Sequence, residues 1–338
     1  MEKIRVHLTR EVDDSFDIVI GTNILDNVAD GLLKLNLGRV CVITDATVKR
    51  LYGEKFHGVM KSRGINAVMV SIPPGKNDRD MKAQIEDIML AHGLGKESVI
   101  LALGGGTIAD LAGFVSSTYY GGIPYLLLPT TLYCMVDHPI GGRVGVDTEK
   151  SRKVIGSYYR PKRVLIDLAF LDSLPPDAYI PGIIEMLRVA IVADDRFFIL
   201  LEDYHSKLAS DKELLAKCLK KALELKLKLL ETDIKQLRFG TRLGHAFSRL
   251  GDRDWLALGV LTETRLAEAA GILNPPQARK VYALLEKLGA PQKHSYGVDQ
   301  VLEHLPSRQF VFPRKLGKVE QNIDIQEDLI KKVLEGMR

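Results

Sequence analysis

The chain has 338 residues, of which 46% are hydrophobic and 27% are charged. Such a composition is typical of a globular protein and excludes a disordered, collagen-like or coiled-coil chain, while the length predicts two domains. The formal net charge of +4 is small for this size, so neither a nucleic acid nor a membrane is indicated as a partner. The three cysteines form no CxxC pair, and no stretch resembles a signal peptide or an apolar membrane span. These features predict a cytoplasmic protein without a disulfide framework or a structural zinc knot.

The first half of the chain alternates short apolar runs with helical patterns. Strands are predicted at Lys3–Leu8, Asp17–Ile20, Arg39–Thr44, Ala67–Ile72, Ser98–Leu103 and Arg163–Leu168. The turn at Asp13–Asp14 allows the first two to form a hairpin. Helices are predicted from about Thr47 and over Asp80–His92. This strand–helix–strand order predicts a doubly wound parallel sheet.

The pattern of the chain changes after this region. Prolines interrupt it near Pro175 and Pro181, and helical periodicity then runs from Ile183 to about Leu250 and again over Leu256–Leu288. We therefore predict a domain boundary near residues 160–180 and a second domain that is mostly helical.

The most distinctive local motif is ALGGGTIADLAGF at Ala102–Phe114, where a buried strand ends in three glycines and a helix begins. Glycine lets backbone N–H groups approach a pyrophosphate closely, and the helix N-terminus adds partial positive charge. Because the spacing is not GxGxxG, a tight strand–helix connection without a ligand is the alternative interpretation.

A second polar segment lies at Pro124–Asp147, where an apolar strand leads into Thr130 and Thr131, with Asp137 downstream. Polar groups just beyond the carboxyl end of a parallel strand lie where open α/β sheets bind ligands. The alternative is a polar turn that caps the following helix.

Two residues are candidate metal ligands. Glu185 lies in the apolar helical segment GIIEML, where a buried carboxylate needs a partner, and His245 lies in LGHAF. A glutamate and a histidine are fewer than the three ligands of most catalytic metal sites, and a core histidine is the alternative for His245. The spacing alone therefore gives little support for a metal.

Taken together, the motifs resemble those of the 3-dehydroquinate synthase family, within the sugar phosphate cyclases. The ordered motifs are ALGGGTIADLAGF, PTTLYCMVD, IGGRVGVD, IGSYYRPKRVLID and FLDSLP, followed by PGIIEML and RLGHAF. The resemblance implies a Rossmann-like parallel-sheet domain over residues 1–165, an all-α metal and substrate domain over 166–338, and a homodimer. It also implies bound NAD, a divalent metal (Zn, Co or Mn) and a small anionic, phosphorylated sugar as substrate. In that family NAD transiently oxidises a substrate hydroxyl, phosphate is eliminated, and the ring closes after the cofactor is restored.

The resemblance also assigns residues to NAD. They are Asp45, Thr47, Gly104, Gly105, Gly106, Thr107, Asp110, Thr130, Thr131 and Asp137. One adenosine contact is weakened, because the family's PGExxK segment is PGKNDR here, with Lys76 in place of the acid.

The metal and substrate positions depart further from the family pattern. Glu185 and His245 match the first two metal ligands, but the third histidine is absent and GDRDWLALG offers Asp252 or Asp254; we predict Asp252. The candidate substrate-binding and catalytic residues are Arg143, Arg152, Lys153, Arg188, Lys226, Arg238, Arg242 and Arg249. The resemblance also implies the loss of two basic groups: the family's cross-subunit arginine is Gly121 here, and its late lysine is deleted around Leu305–Gln309.

Arginine does not deprotonate at neutral pH, but it binds phosphate or carboxylate with two parallel hydrogen bonds. One hypothesis is therefore a cyclase with an altered anionic substrate. A second is that Arg242 or Arg249 pairs with Glu185 and Asp252 in place of a metal. Functionally, the alternatives to a cyclase are a metal-dependent polyol or polyol-phosphate dehydrogenase and a non-catalytic NAD-binding homologue.

Overall fold

The computed structural model describes residues 5, 7, 13–34, 38–149 and 151–338, except for the side chains of Lys34, Ser151 and Arg152. The strands in this part of the chain are β1 (Asp17–Gly21), β2 (Val40–Asp45), β3 (Ala67–Ile72), β4 (Val99–Gly104), β5 (Tyr125–Pro129), β6 (Arg143–Thr148), β7 (Ser151–Tyr158), β8 (Arg163–Asp167), β9 (Gln309–Lys315) and β10 (Lys318–Asp324).

The helices between them carry the remaining framework. They are α1 (Leu25–Lys34), α2 (Ala46–Ser62), α3 (Arg79–Ala91), α4 (Gly106–Thr118), α5 (Leu132–Asp137), α6 (Ile180–Ala193), α7 (Asp195–Tyr204), α8 (Lys212–Thr232), α9 (Arg242–Arg249), α10 (Trp255–Ala269), α11 (Pro275–Lys287), α12 (Val298–Glu303) and α13 (Glu327–Glu335).

Within the described residues, six strands form a parallel sheet in the order β1-β8-β5-β4-β2-β3. Strands β4 and β5 are buried along their whole length and β2 along all but its last residue, because helices cover both faces and the apolar runs never meet solvent. Strands β3 and β4 lie on opposite sides of β2 in the sheet, so the strand order reverses between β2 and β4. Such a reversal opens a crevice at the carboxyl ends of these two strands.

The predicted parallel sheet is confirmed, with strand and helix limits within a few residues of those predicted. The predicted strand at residues 3–8 lies outside the described part, and β1 pairs in parallel with β8. The domain boundary between residues 165 and 166 stays a prediction; it falls inside β8, which continues to Asp167.

From α6 onward the chain is mainly helical, as predicted. The structure adds two antiparallel strand pairs that we did not predict, β6–β7 in the first half and β9–β10 in the second. Among the described residues, no helix is both long and apolar enough to cross a membrane.

Candidate active site

A pocket of about 360 Å³ lies at the crevice between the carboxyl ends of β2 and β4. Seven of the ten residues predicted to contact NAD line it: Asp45, Thr47, Gly105, Gly106, Thr107, Thr130 and Thr131. They come from three strand ends that the parallel sheet places at one edge. The structure therefore brings most of the predicted cofactor residues together.

The three-glycine turn presents free backbone donors to this pocket. Helix α4 begins after Gly105, and no side chain caps its N-terminus. The N–H groups of a first helical turn have no partner within the helix, so they can bind an anion. A Cβ atom on Gly106 would lie 2.9 Å from Cε1 of His138, which explains why glycine is needed at this position.

Asp45 and Thr131 each begin a helix at the edge of the pocket. Asp45 Oδ1 accepts the N–H groups of Thr47 and Val48 at 2.8 and 3.0 Å, and Thr131 Oγ1 accepts that of Cys134 at 3.3 Å. The caps fix both side chains relative to the pocket. The alternative we considered for the threonine segment, a capping turn, is thus correct for Thr131, although the residue also lines the pocket.

The other two acidic residues predicted to contact NAD take part in buried ion pairs instead. The Asp110 carboxylate is 3% exposed and lies 2.5 Å from Lys153 Nζ and 3.3 Å from His138 Nε2. Lys153 has a positive φ of 49°, and its N–H donates to Asp147 Oδ1 at 2.8 Å. This turn between β6 and β7 directs the Lys153 side chain to Asp110.

His138 was not predicted from the sequence, although it follows directly after Asp137. Its side chain is 8% exposed, and it lies between Asp110 and Cys134 under the glycine turn. Burial opposes the charged imidazole, but Cys134 and Asp110 together raise the pKa of His138 to about 10. The imidazole is therefore positively charged at neutral pH.

Glu185 lies at the centre of a second buried network. Arg188 Nε and Nη2 donate to Glu185 Oε2 and Oε1 at 2.8 and 2.7 Å. Lys226 Nζ donates to Glu185 Oε1 at 3.0 Å and to Asp137 Oδ1 at 2.8 Å. Burial alone would raise the pKa of Asp137. The positive charge of Lys226, together with those of His138 and Arg188, instead holds this pKa well below its usual value. The network thus joins helices α5, α6 and α8.

His245 lies on α9, with its ring 5.7 Å from that of Trp255. Its side chain keeps contact with solvent, but the surrounding protein atoms and the charges of four arginines lower its pKa to about 4. These arginines are Arg249, Arg188, Arg242 and Arg143. The imidazole is therefore neutral at pH 7, and the potential around it is positive.

Helix α9 is positioned by a buried carboxylate that we did not predict. Glu263, on α10, accepts the N–H groups of Gly240 and Leu243 at 2.6 and 3.0 Å. Burial raises the pKa of Glu263 to about 8 against these hydrogen bonds. A Cβ on Gly259 would lie 2.0 Å from the Gly240 carbonyl oxygen, so glycine allows α9 and α10 to approach this closely.

The remaining predicted residues differ in their hydrogen bonds and in their exposure. Arg143 Nη2 donates to the Lys153 carbonyl at 2.8 Å, and Arg249 Nη1 to that of His304 at 3.3 Å. Arg238 is exposed at the end of a short 3₁₀ turn, and Arg242 is half-buried. Gly104 ends β4 below the pocket, and the Arg152 side chain lies outside the described part.

Comparison with known proteins identifies the family. Residues 68–180 match the 3-dehydroquinate synthase N-terminal family model, and residues 182–308 match the C-terminal one. The 3-dehydroquinate synthase of Desulforamulus reducens is 30% identical, with 95% of this chain and 96% of that protein covered. The chain belongs to the 3-dehydroquinate synthase family. A second member, from Geotalea uraniireducens, is 35% identical over 86% of this chain and 85% of its own length.

Solved structures agree with the family fold. A 2-epi-5-epi-valiolone synthase from Streptomyces hygroscopicus subsp. jinggangensis, solved with NAD+ and Zn2+ bound, has a TM-score of 0.89 at 24% identity and covers 98% of this chain and 99% of its own. A 2-deoxy-scyllo-inosose synthase, solved with carbaglucose-6-phosphate, NAD+ and Co2+, has a TM-score of 0.86 at 18% identity, covering 95% and 96%.

The structure does not bring together the three residues that we predicted to bind a metal, Glu185, His245 and Asp252. In the described part of the chain, no group of three or more His, Cys, Asp and Glu side chains is arranged to hold a metal ion. Asp252 Oδ1 accepts a hydrogen bond from the backbone N–H of Asp254, two residues later, at 2.7 Å. Asp252 lines a different pocket, together with His294. Arg188 and Lys226 already donate hydrogen bonds to the two carboxylate oxygens of Glu185. Asp252 therefore does not complete a site with Glu185 and His245.

Glu185 forms a salt bridge, but not with the arginines that the alternative hypothesis named. Arg188, three residues after Glu185 on the same helix, makes the ion pair that we assigned to Arg242 or Arg249. The i, i+3 spacing places these two side chains on one helix face, and this signal was available in the sequence.

Proposed function

We propose that this member of the 3-dehydroquinate synthase family is an NAD-dependent sugar phosphate cyclase with an altered substrate cleft. The observation that carries the proposal is the pocket at the glycine turn, lined by seven predicted NAD residues from three strand ends. The relatives solved with NAD+ bound support the same cofactor for this chain. A cytoplasmic location and a homodimer stay predictions.

The residues of the pocket fit the parts of a dinucleotide. The free N–H groups at the start of α4 would bind the pyrophosphate. Because both cap bonds of Asp45 use Oδ1, its Oδ2 can accept a hydrogen bond from a ribose hydroxyl. When bound, NAD supplies a reversible hydride acceptor for a substrate hydroxyl.

The positively charged side chains around His245 suit an anionic substrate. Arg143, Arg242 and Arg249 contribute positive charge around His245. Arginine would hold a phosphate with paired hydrogen bonds. The neutral imidazole of His245 can accept a hydrogen bond from a substrate hydroxyl. The described residues include no group of three or more His, Cys, Asp and Glu side chains that could hold a metal ion here.

One observation favours a second candidate, a homologue that binds NAD without turnover. The Glu185 carboxylate accepts hydrogen bonds from Arg188 and Lys226. This residue, which we predicted to bind a metal, is therefore not free to do so. In that case NAD would stabilise the protein but no sugar phosphate would react.

The test combines NAD binding with product analysis. Purified protein is titrated with NAD+ by calorimetry and then incubated with a panel of hexose and heptulose phosphates. We expect NAD+ binding, phosphate release that depends on NAD+, and no accumulation of NADH, because a cyclase returns its hydride. Net NADH formation would instead indicate a dehydrogenase. Binding without phosphate release over the whole panel would indicate the second candidate.

A further inference from the structure

We propose that Arg188 and Lys226 are built-in cations that neutralise Glu185 in place of a divalent metal, so that the cleft is assembled without a metal ion at this carboxylate. The assignment goes beyond the proposed function, since it concerns what balances the charge of Glu185 whether or not a sugar phosphate is turned over.

The contacts of Glu185 leave little of the carboxylate for a metal. Oε1 accepts hydrogen bonds from Arg188 and Lys226, and Oε2 accepts one from Arg188, all within 3.0 Å. The Glu185 side chain is 1% exposed, and those of its partners are 5% and 3% exposed. A metal ion on either oxygen would lie within a few ångströms of two positive charges, where repulsion is strong in a buried site.

Arg188 is also held from its other end. Its Nη1 donates to the carbonyl of Leu237 and, at 3.4 Å, to that of Phe239. If the guanidinium moved aside for a metal ion, these hydrogen bonds and both bonds to Glu185 would be lost together. The arginine is therefore a fixed part of the cleft and ties α6 to the turn that leads into α9.

The charges balance without an ion. Glu185 and Asp137 carry two negative charges, and Arg188 and Lys226 carry two positive charges in direct contact with them. A divalent cation would add two uncompensated charges to this balanced group.

The first experiment needs no substrate. The wild-type protein is dialysed without chelator, its zinc, cobalt and manganese contents are measured by mass spectrometry, and thermal unfolding is recorded with EDTA and with added ZnCl2 or CoCl2. We expect far less than one metal ion per chain and an unchanged Tm in every case. A metal retained at about one per chain, or a Tm that rises with zinc and loses this rise in Glu185→Gln, would overturn the proposal.

Variants test the role of the arginine. Arg188→Met leaves Glu185 with a single cation, and we expect Tm to fall by roughly 5–10 °C, with no recovery on adding zinc. The double variant Glu185→Gln with Arg188→Met removes both charges of the pair, and its Tm should fall less than that of Arg188→Met alone. Arg279→Met, at an exposed site on α11, is the matched control and should change Tm little.

An unchanged Tm in Arg188→Met, or its rescue by zinc to the wild-type value, would refute the assigned role. If this variant does not fold, the metal content and zinc response of the wild type still decide the question. These readouts are independent of turnover, so a failure of the proposed cyclase activity would be seen separately.

Discussion

His138 provides a direct test of the buried charges under the glycine turn. The imidazole faces Asp110 and, behind it, Lys153; directly after the end of α5, it also lies close to Cys134 and Asp137. Its folded-state pKa of about 10 lies above the value of 6.5 for an unperturbed histidine. A histidine with a raised pKa stabilises the folded state fully below pH 6.5, and this contribution is lost as the pH rises through 10.

The magnitude follows from the two pKa values. Between pH 7 and pH 10 the linkage relation predicts a loss of about 3 kcal/mol of unfolding free energy from this one group. In a His138→Asn variant this part of the pH dependence should be absent. The decisive quantity is the difference between the two proteins, because other titrating groups, such as Glu263, contribute equally to both.

The assay is urea unfolding, followed by circular dichroism at pH 7, 8, 9 and 10, for the wild type, His138→Asn and a control variant. The control variant, His57→Asn, removes an exposed histidine of α2 and should keep the wild-type pH dependence. Parallel curves for the wild type and His138→Asn would show that the imidazole is not charged in the folded protein, and would refute the described electrostatics.

Two further substitutions test the positioning of the site. Gly106→Ala places a Cβ 2.9 Å from the His138 ring, and we expect NAD+ affinity measured by calorimetry to fall by at least about tenfold, or about 1.4 kcal/mol, whereas unchanged affinity would show that the turn does not contact the cofactor. Glu263→Gln sets an amide N–H against the backbone donors of Gly240 and Leu243 at the start of α9. At pH 9, above the pKa of about 8 of Glu263, we expect a loss of about 1–3 kcal/mol in urea unfolding that is absent in the exposed control Glu286→Gln, and equal losses in both variants would contradict the positioning of α9 by Glu263.

The sequence predicts the central sheet well because its strands are buried on both faces. The limits of β3 are the predicted ones, and those of β2 and β4 differ by one residue, since a continuous apolar run between polar segments has few alternatives in a doubly wound fold. Strand β10 was missed because it is mostly exposed and polar, with only Val319 and Ile323 contributing apolar side chains. Its pairing with β9 depends on tertiary contact and not on local pattern.

The nucleotide pocket was predictable for a related reason. Its residues follow strand ends directly, so the parallel sheet alone fixes where their backbones meet. The ion pairs could not be found this way, because Lys226 lies 41 residues from Glu185 and 89 from Asp137 along the chain. A charged residue in an apolar helix indicates that a partner exists, but many lysines and arginines could supply it, and only the packing of α5, α6 and α8 selects one.

The arginine at position 188 shows how one side-chain type changes what a site can hold. A lysine has one nitrogen and would satisfy one oxygen of Glu185 as a point charge, and it could release that oxygen at small cost. The planar guanidinium of Arg188 satisfies both oxygens with Nε and Nη2 and still reaches two backbone carbonyls with Nη1. Since each of these bonds constrains the others, we expect Arg188 to hold Glu185 in a fixed ion pair, where a lysine would leave the carboxylate able to bind a metal.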